Sequence, residues 1–167
     1  MGGPSEVIDG MIRELFHKWL LFVSCMVAVS LLSHYYGLFS LIEATDKTYL
    51  TFIILGLTWI ATLSIGYKLW SSKDQEYSYL NEINFSNELY CSGALTRLGL
   101  IGTVIGFILM LPLFAHIDFE NVKTMQDIVV DMTSRMGTAL WTTFAGILGQ
   151  LVVTFQLQMI NNAITVK

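Results

Sequence analysis

The chain has 167 residues, of which 54% are hydrophobic and only 13% charged, with a formal net charge of −4. Its mean hydropathy is +0.60. A soluble domain carries about 25% charged residues, so this composition excludes an ordinary soluble fold. The apolar residues form continuous blocks that do not alternate with polar ones, which excludes a transmembrane β-barrel.

Four apolar blocks predict four transmembrane helices, because each has close to the roughly 20 residues that cross a hydrocarbon core about 30 Å thick. We therefore predict an all-α fold: a polytopic membrane protein with four transmembrane helices and short amphipathic interfacial helices. The predicted cores of the four spans are residues 19–36, 49–67, 98–115 and 136–155.

The basic residues between the blocks predict the topology. Six Lys and Arg residues fall on one side and three on the other, and the positive-inside rule places the richer side in the cytoplasm. We expect a multi-pass protein of the bacterial inner membrane with both termini cytoplasmic. The richer side holds Arg13, Lys18, Lys68, Lys73, Arg97 and Lys167, and the other side holds Lys47, Lys123 and Arg135.

The first half of the chain is divided into three segments. Residues 1–18 have apolar positions at helical spacing and predict an N-terminal interfacial helix that leads into the first span. Residues 19–70 hold spans one and two, which a short turn through Asp46 is expected to join as a tight hairpin. Residues 71–94 form a short cytoplasmic connection, too short for a core of its own and expected to be a bent helical segment beside the bundle.

Residues 95–167 hold the third and fourth spans and, at about 118–135, an amphipathic helix expected on the outer surface. Met125, Ile128, Val129 and Met132 recur there at helical spacing. This helix should run directly into the fourth span.

The third span carries glycines on one face. Gly99, Gly102 and Gly106 stand at i, i+3 and i+7, with Thr103 on the adjoining face. Small residues let helices approach closely in lipid, so helix packing is the simplest interpretation of these glycines. Pro112 is expected to kink or end the helix near its outer end.

The fourth span carries two polar rows. Thr143, Gln150, Thr154 and Gln158 fall on one face, with Gly146 in the gap, and a second, overlapping row is formed by Thr138 and Thr142 with Gly149. Threonines often bond the carbonyl four residues back, and alone they prove nothing. A buried amide is costly in hydrocarbon unless it is paired or hydrated, so Gln150 favours contact with a partner helix or an aqueous path.

No span core contains Asp, Glu, Lys or Arg. A proton-driven machine needs a group in the membrane that takes up and releases protons, so any such carrier must come from another subunit. We find no catalytic constellation and no ligand spacing among His17, His34 and His116, and we expect no enzymatic activity, no cofactor, no metal and no nucleic-acid partner.

Two motifs carry a family resemblance. Residues 98–106 read L-G-L-I-G-T-V-I-G and residues 139–146 read A-L-W-T-T-F-A-G. In this order, joined by a short outer segment, they resemble the two pore-lining helices of the MotA/TolQ/ExbB family of proton-channel subunits. The resemblance covers roughly residues 95–160, and the first half of the chain matches in topology only.

The resemblance implies a homopentamer around a dimer of single-span MotB/TolR/ExbD-like partners, whose helix carries an essential aspartate. Thr103 and Thr143 match pore-facing threonines of the family, and ion flow would turn the pentamer around the partner dimer. Some relatives have glutamate where this chain has Thr138, so an acidic relay there is lost. Four spans resemble the flagellar stator branch, yet the large cytoplasmic domain of stators is missing, as in a minimal relative or a piece of something longer.

The leading hypothesis is therefore an ion-channel subunit of a rotary motor driven by ion-motive force, with protons or possibly sodium as the ion. The predicted ion pathway consists of Thr103, Thr138, Thr142, Thr143 and Gln150, and the predicted packing residues are Gly99, Gly102, Gly106, Gly146 and Gly149. A non-conducting oligomeric membrane scaffold is the main alternative. A small-solute transporter is disfavoured by the lack of inverted repeats and internal charges.

Overall fold

The computed structural model describes residues 4–46, 48–71, 85–114 and 122–165, and these residues form helices and no strand. Four of the five helices contain a stretch long and apolar enough to cross a membrane, so the chain is an all-α, multi-pass membrane protein. The helices are α1 (Pro4–Tyr35), α2 (Leu38–Thr45), α3 (Leu50–Ser71), α4 (Ser86–Phe114) and α5 (Val122–Thr165).

The predicted interfacial helices are continuous with the spans that follow them. Residues 4–18 belong to α1, and the described part of the 118–135 segment belongs to α5, which has 44 residues. At about 1.5 Å per residue α5 is about 66 Å long, roughly twice the hydrocarbon core, so its ends extend beyond the membrane. Pro112 lies in the last turn of α4, which ends two residues later.

Parts of several sequence predictions lie outside the described residues. They are residues 1–3, Lys47, residues 72–84 of the cytoplasmic connection, His116, residues 118–121 of the outer helix, and Lys167. The rest of the predicted connection, from Ser86 onward, is the first turns of α4.

The link between the first two spans contains a helix that the sequence analysis missed. Gly37, with a φ of 70°, separates α1 from α2, because this left-handed backbone suits a residue without a Cβ. Asp46, the residue after α2, contacts the start of the next span: its carboxylate accepts hydrogen bonds from the Thr48 amide (3.0 Å) and the Thr51 amide (2.9 Å). The bond from the Thr51 amide caps the first turn of α3.

The long helices run alternately up and down. We name the two ends of the bundle after a residue at each: the Lys68 end, where α3 finishes and α4 begins, and the Asp46 end, where α2 meets α5. Helices α4 and α5 form an antiparallel pair, and α3 packs on one side of it. The core between these three helices contains Ile54, Ile65, Leu95, Val153 and Ile160.

Helix α1 is attached to this core mainly at the Lys68 end. There the Trp19 ring packs directly on Gly66, where any Cβ would overlap it. Phe16 lies 5.4 Å from the Trp70 ring, centroid to centroid. Toward the Asp46 end most of α1 is exposed, including Val27, Leu31 and other large apolar side chains. The membrane core of the fold is therefore formed by α3, α4 and α5, and α1 packs on its outside.

Candidate functional site

Glycines bring the backbones of α4 and α5 into contact. A Cβ on Gly99 would lie 3.0 Å from the Thr142 carbonyl oxygen and 3.3 Å from the Gly146 Cα. A Cβ on Gly106 would lie 2.7 Å from the Ala139 Cβ, and one on Gly102 would overlap the Thr142 side chain. These three glycines line the contact between α4 and α5, which we call the α4–α5 seam.

Gly149 has a different neighbour from the other glycines. A Cβ there would overlap the Thr58 hydroxyl of α3 and lie 3.3 Å from Leu95 Cδ1. Gly146 instead contacts α4, where the Leu95 carbonyl oxygen is 2.7 Å from its Cβ position. The small residues of α5 therefore serve two separate contacts.

Toward the Lys68 end the seam becomes polar. Ser92 Oγ and Thr154 Oγ1 are 2.9 Å apart, and the Thr96 hydroxyl donates to Oε1 of Gln150. Nearer the middle, the Thr143 hydroxyl lies 3.2 Å from the Gly99 carbonyl oxygen and 3.1 Å from that of Ala139. A single line of hydroxyl and amide groups thus follows the seam.

The two polar rows expected on the fourth span lie on different sides of α5. Thr143, Gln150 and Thr154 are half-buried at the seam, whereas Gln158 is exposed. Thr103 is also half-buried, on α4, and donates to the Leu100 carbonyl at 2.6 Å. We call the line formed by Thr96, Thr103, Thr143, Gln150 and Thr154 the half-buried row; within the described part of the chain, its hydrogen bonds join α4 to α5 or lie inside one of these two helices.

Thr138 and Thr142 are buried inside the subunit. The Thr138 hydroxyl donates at 2.6 Å to the carbonyl of Thr45, the last residue of α2. The Thr142 hydroxyl lies 3.0 Å from the carbonyl oxygens of both Thr138 and Ala139, and its side chain fills the space above Gly102. Thr138 therefore caps the end of α2, and Thr142 packs against α4. Neither residue belongs to the half-buried row.

Sequence reasoning missed Ser92 and Thr96 as members of the seam. A signal was present, because Ser92, Thr96 and Thr103 stand at i, i+4 and i+11 on one helical face. It also missed Gln156, which is fully buried and donates from Nε2 to Thr62 Oγ1 at 3.1 Å. That bond joins α5 to α3.

The buried carboxylates of the described residues lie near the two ends of the bundle. Glu88, whose side chain is 5% exposed, is 2.8 Å from Nζ of Lys68, which is 31% exposed. Glu88 also accepts from the Ser64 hydroxyl at 2.9 Å. Burial raises the pKa of Asp46, but the hydrogen bonds from Thr51 and Thr48 outweigh it and hold that pKa below its ordinary value. Both carboxylates are engaged in joining helices.

The basic residue Arg135 lies at the Asp46 end of the seam. Nη1 of Arg135 on α5 donates to the Leu109 carbonyl of α4 at 2.8 Å, and Nη2 lies 3.7 Å from Asp131. The half-buried row itself contains hydroxyls and an amide only. Such groups hydrogen-bond to water, an ion or a carboxylate, but they do not store a proton at neutral pH.

The fold and the seam define a class: a multi-pass, all-helical membrane protein with an uncharged polar row on one helix pair. Comparisons with protein-family models, with curated proteins and with solved structures give no match to this chain.

Proposed function

We propose that the chain is an inner-membrane ion-channel subunit of a rotary motor driven by ion-motive force. In this proposal the ion is a proton, with sodium as the alternative. The subunits form a pentamer around two single-span partners, each with an aspartate in the membrane, and both termini of the chain are cytoplasmic. Ion flow past the half-buried row turns the pentamer around the partner dimer.

One observation carries the proposal: five polar side chains follow the α4–α5 seam while remaining half-buried. Polar groups in hydrocarbon are costly unless they face protein or water, so a polar line left accessible favours a polar neighbour outside the subunit. The line carries no charge of its own, and a partner carboxylate would complete it. The family resemblance of residues 98–106 and 139–146 supports the same conclusion, because Thr103 and Thr143 lie in that line.

Thr138 and Thr142 are left out of the proposed pathway, because their hydroxyls are engaged inside the subunit. The proposed pathway instead consists of Thr103, Thr143 and Gln150 with the added Thr96 and Thr154. The apolar side chains around this row supply a surface for neighbouring subunits and lipid. They include Leu100, Val104, Phe107, Leu140, Phe144, Ile147 and Leu151, all of them exposed.

The first test is assembly. The chain is co-expressed with the product of the neighbouring reading frame, if that frame encodes a short single-span protein with an intramembrane aspartate. Native mass spectrometry of the purified complex should give a pentamer-to-dimer stoichiometry. A stable symmetric assembly that excludes the partner would contradict the motor proposal.

The second test is ion flux through that complex in liposomes. Thr143→Val keeps the shape of the side chain but removes the hydroxyl, which is worth about 1 kcal/mol and corresponds to about a fivefold loss of rate. Thr133→Val is the matched control, because Thr133 is exposed on the same helix and its hydroxyl bonds the Val129 carbonyl at 2.8 Å. Unchanged flux in Thr143→Val would remove that residue from the pathway.

The alternative function, a non-conducting oligomeric scaffold, is favoured by a different observation. Ser92 with Thr154, and Thr96 with Gln150, satisfy each other across the seam without any outside group. A scaffold would assemble as a symmetric oligomer but would give no flux above that of protein-free liposomes, with or without a partner. Flux that requires the partner's aspartate would contradict the scaffold.

A further inference from the structure

We propose that one buried water molecule joins α1 to α5 toward the Lys68 end of the bundle, bound between Trp19 Nε1 and Gln156 Oε1. The inference rests on the packing of the described helices and not on ion conduction. Both side chains are buried, since Trp19 is 9% exposed and Gln156 is 0% exposed. The water accepts a hydrogen bond from the indole N–H and donates one to the amide oxygen.

The two atoms are a complementary pair. Within the described part of the chain, Trp19 Nε1 and Gln156 Oε1 are both buried and have no hydrogen-bond partner in the protein. The indole nitrogen is a donor only, and the amide oxygen is an acceptor only. Because a buried polar atom without a partner is costly, folded proteins satisfy nearly all such atoms with protein groups or ordered water.

The neighbours of each side chain leave these two atoms unpaired. The Gln156 amide donates from Nε2 to Thr62 Oγ1 at 3.1 Å, which uses one of its two polar atoms. The Trp19 ring stacks on Phe16 and packs on Gly66, and neither contact gives Nε1 a hydrogen bond. Water both donates and accepts, so it satisfies the indole N–H and the remaining amide atom with either orientation of the amide.

Helix α3 places both atoms on one of its faces. Thr62 and Gly66 are four residues apart, which is about one helical turn and about 6 Å along the axis. Gln156 bonds to Thr62, and Cε2 of Trp19, the ring carbon bonded to Nε1, lies 2.9 Å from the position of a Cβ on Gly66. The two unpaired atoms therefore lie beside adjacent turns of α3.

A ring contact between α1 and α5 supports the same placement. The centroids of Phe22 and Phe155 are 5.6 Å apart. Trp19 lies about one turn from Phe22 and Gln156 follows Phe155, and both steps lead toward the Lys68 end because α1 and α5 run in opposite directions. Two hydrogen bonds through one water join polar atoms up to about 6 Å apart, so a single molecule is sufficient.

The membrane increases the value of this bridge. Trp19 and Gln156 both lie within stretches long and apolar enough to span a bilayer. Lipid hydrocarbon offers no hydrogen bonds, so a polar atom there must be satisfied inside the protein. The bridging water satisfies one atom on each helix and adds a polar link to the aromatic contacts that hold α1 on the bundle.

The test detects the water at the Trp19 indole in the full-length protein in micelles. The chain has four tryptophans, so Trp19→Phe identifies the Trp19 signal among the indole signals of the ¹⁵N–¹H spectrum. Cross-peaks between this proton and water are recorded in laboratory-frame and rotating-frame Overhauser spectra. In a slowly tumbling protein, a bound water gives opposite signs in the two spectra, whereas proton exchange gives the same sign in both.

The variants identify the acceptor. Gln156→Leu and, separately, Gln156→Met remove the amide while keeping an apolar side chain of similar size. Gln158→Leu is the matched control, because Gln158 is exposed two residues further along the same helix. Circular dichroism of all variants confirms that they are folded.

Wild type and Gln158→Leu should show water cross-peaks of opposite sign at the Trp19 indole. Both Gln156 variants should lose these cross-peaks, and the Trp19 indole proton should shift to the lower frequency of an N–H without a hydrogen bond. Absence of the bound-water signal from wild type would overturn the proposal. Its persistence at full intensity in folded Gln156 variants would also overturn it, because the amide would then play no part in holding the water.

Discussion

The contact between Gly146 and α4 makes a stability prediction that the structure quantifies. Gly146→Ala adds one Cβ, which would lie 2.7 Å from the Leu95 carbonyl oxygen and 3.0 Å from the Gly99 Cα. Both neighbours are backbone atoms and cannot rotate away. Helix α4 must therefore move outward by several tenths of an ångström before the two helices reach ordinary contact distance.

The cost has two parts. Inserting a methyl group into a tightly packed contact costs about 1–3 kcal/mol. The outward movement also lengthens the Thr143–Gly99 hydrogen bond, already 3.2 Å, and such a bond between membrane helices is worth about 0.6 kcal/mol. The gain in helix propensity from glycine to alanine, up to about 1 kcal/mol, acts in the opposite direction.

Gly93→Ala separates these effects, because a Cβ on Gly93 meets nothing within 4 Å. Both variants share the propensity gain, so Gly146→Ala should be less stable than Gly93→Ala by about 1.5–3.5 kcal/mol. Free energies of unfolding are measured by denaturant titration in micelles, monitored by circular dichroism. Equal stabilities of the two variants would refute the close approach of α4 and α5 at Gly146.

Two further predictions concern the charged groups. Lys68→Met leaves the buried Glu88 carboxylate without its cation and should cost about 3–5 kcal/mol of unfolding free energy, whereas Glu88→Gln should cost less because Lys68 is partly exposed to water. Equal losses in the two variants would contradict the asymmetry. Asp46→Ala should cost about 1–2 kcal/mol at pH 7 through loss of the α3 cap. Because the folded-state pKa of Asp46 is lowered from 3.8, its contribution is present above that pH and is lost as the pH falls through the folded value. Unfolding at pH 7 and pH 3 should therefore show the gap between wild type and variant narrowing in acid, and a constant gap would contradict this role.

Hydropathy alone was sufficient to predict the all-α fold with four long apolar helices, which is confirmed. The predicted outer helix is continuous with the fourth span for a local reason: α5 contains no proline, and Gly137 alone does not end a helix. Helix α2 was missed because eight residues give too short a pattern to distinguish from a turn.

The arrangement of the candidate site depends on contacts that no local pattern contains. The half-buried row and the buried threonines have the same residue types at overlapping spacings on α5. The positions of α2 and α3 decide which of these polar side chains remain accessible. The hydrogen bond from Thr138 to Thr45, for example, joins residues far apart in the sequence. The pairing of Lys68 with Glu88 likewise joins two helices across the connection between them.

The two halves of the α4–α5 seam differ in how they could come apart. At the Lys68 end the contacts are side-chain hydrogen bonds, Ser92 to Thr154 and Thr96 to Gln150, which water can replace one at a time. Beyond Gly99 and Gly146, the Thr142 side chain packs on Gly102 and Ala139 packs on Gly106, and Arg135 donates a hydrogen bond to the Leu109 carbonyl at the far end. The contacts at Gly99 and Gly146 therefore separate a half of the seam held by hydrogen bonds that water can exchange from a half held by close packing and the Arg135 contact, and α4 and α5 part more easily from the Lys68 end.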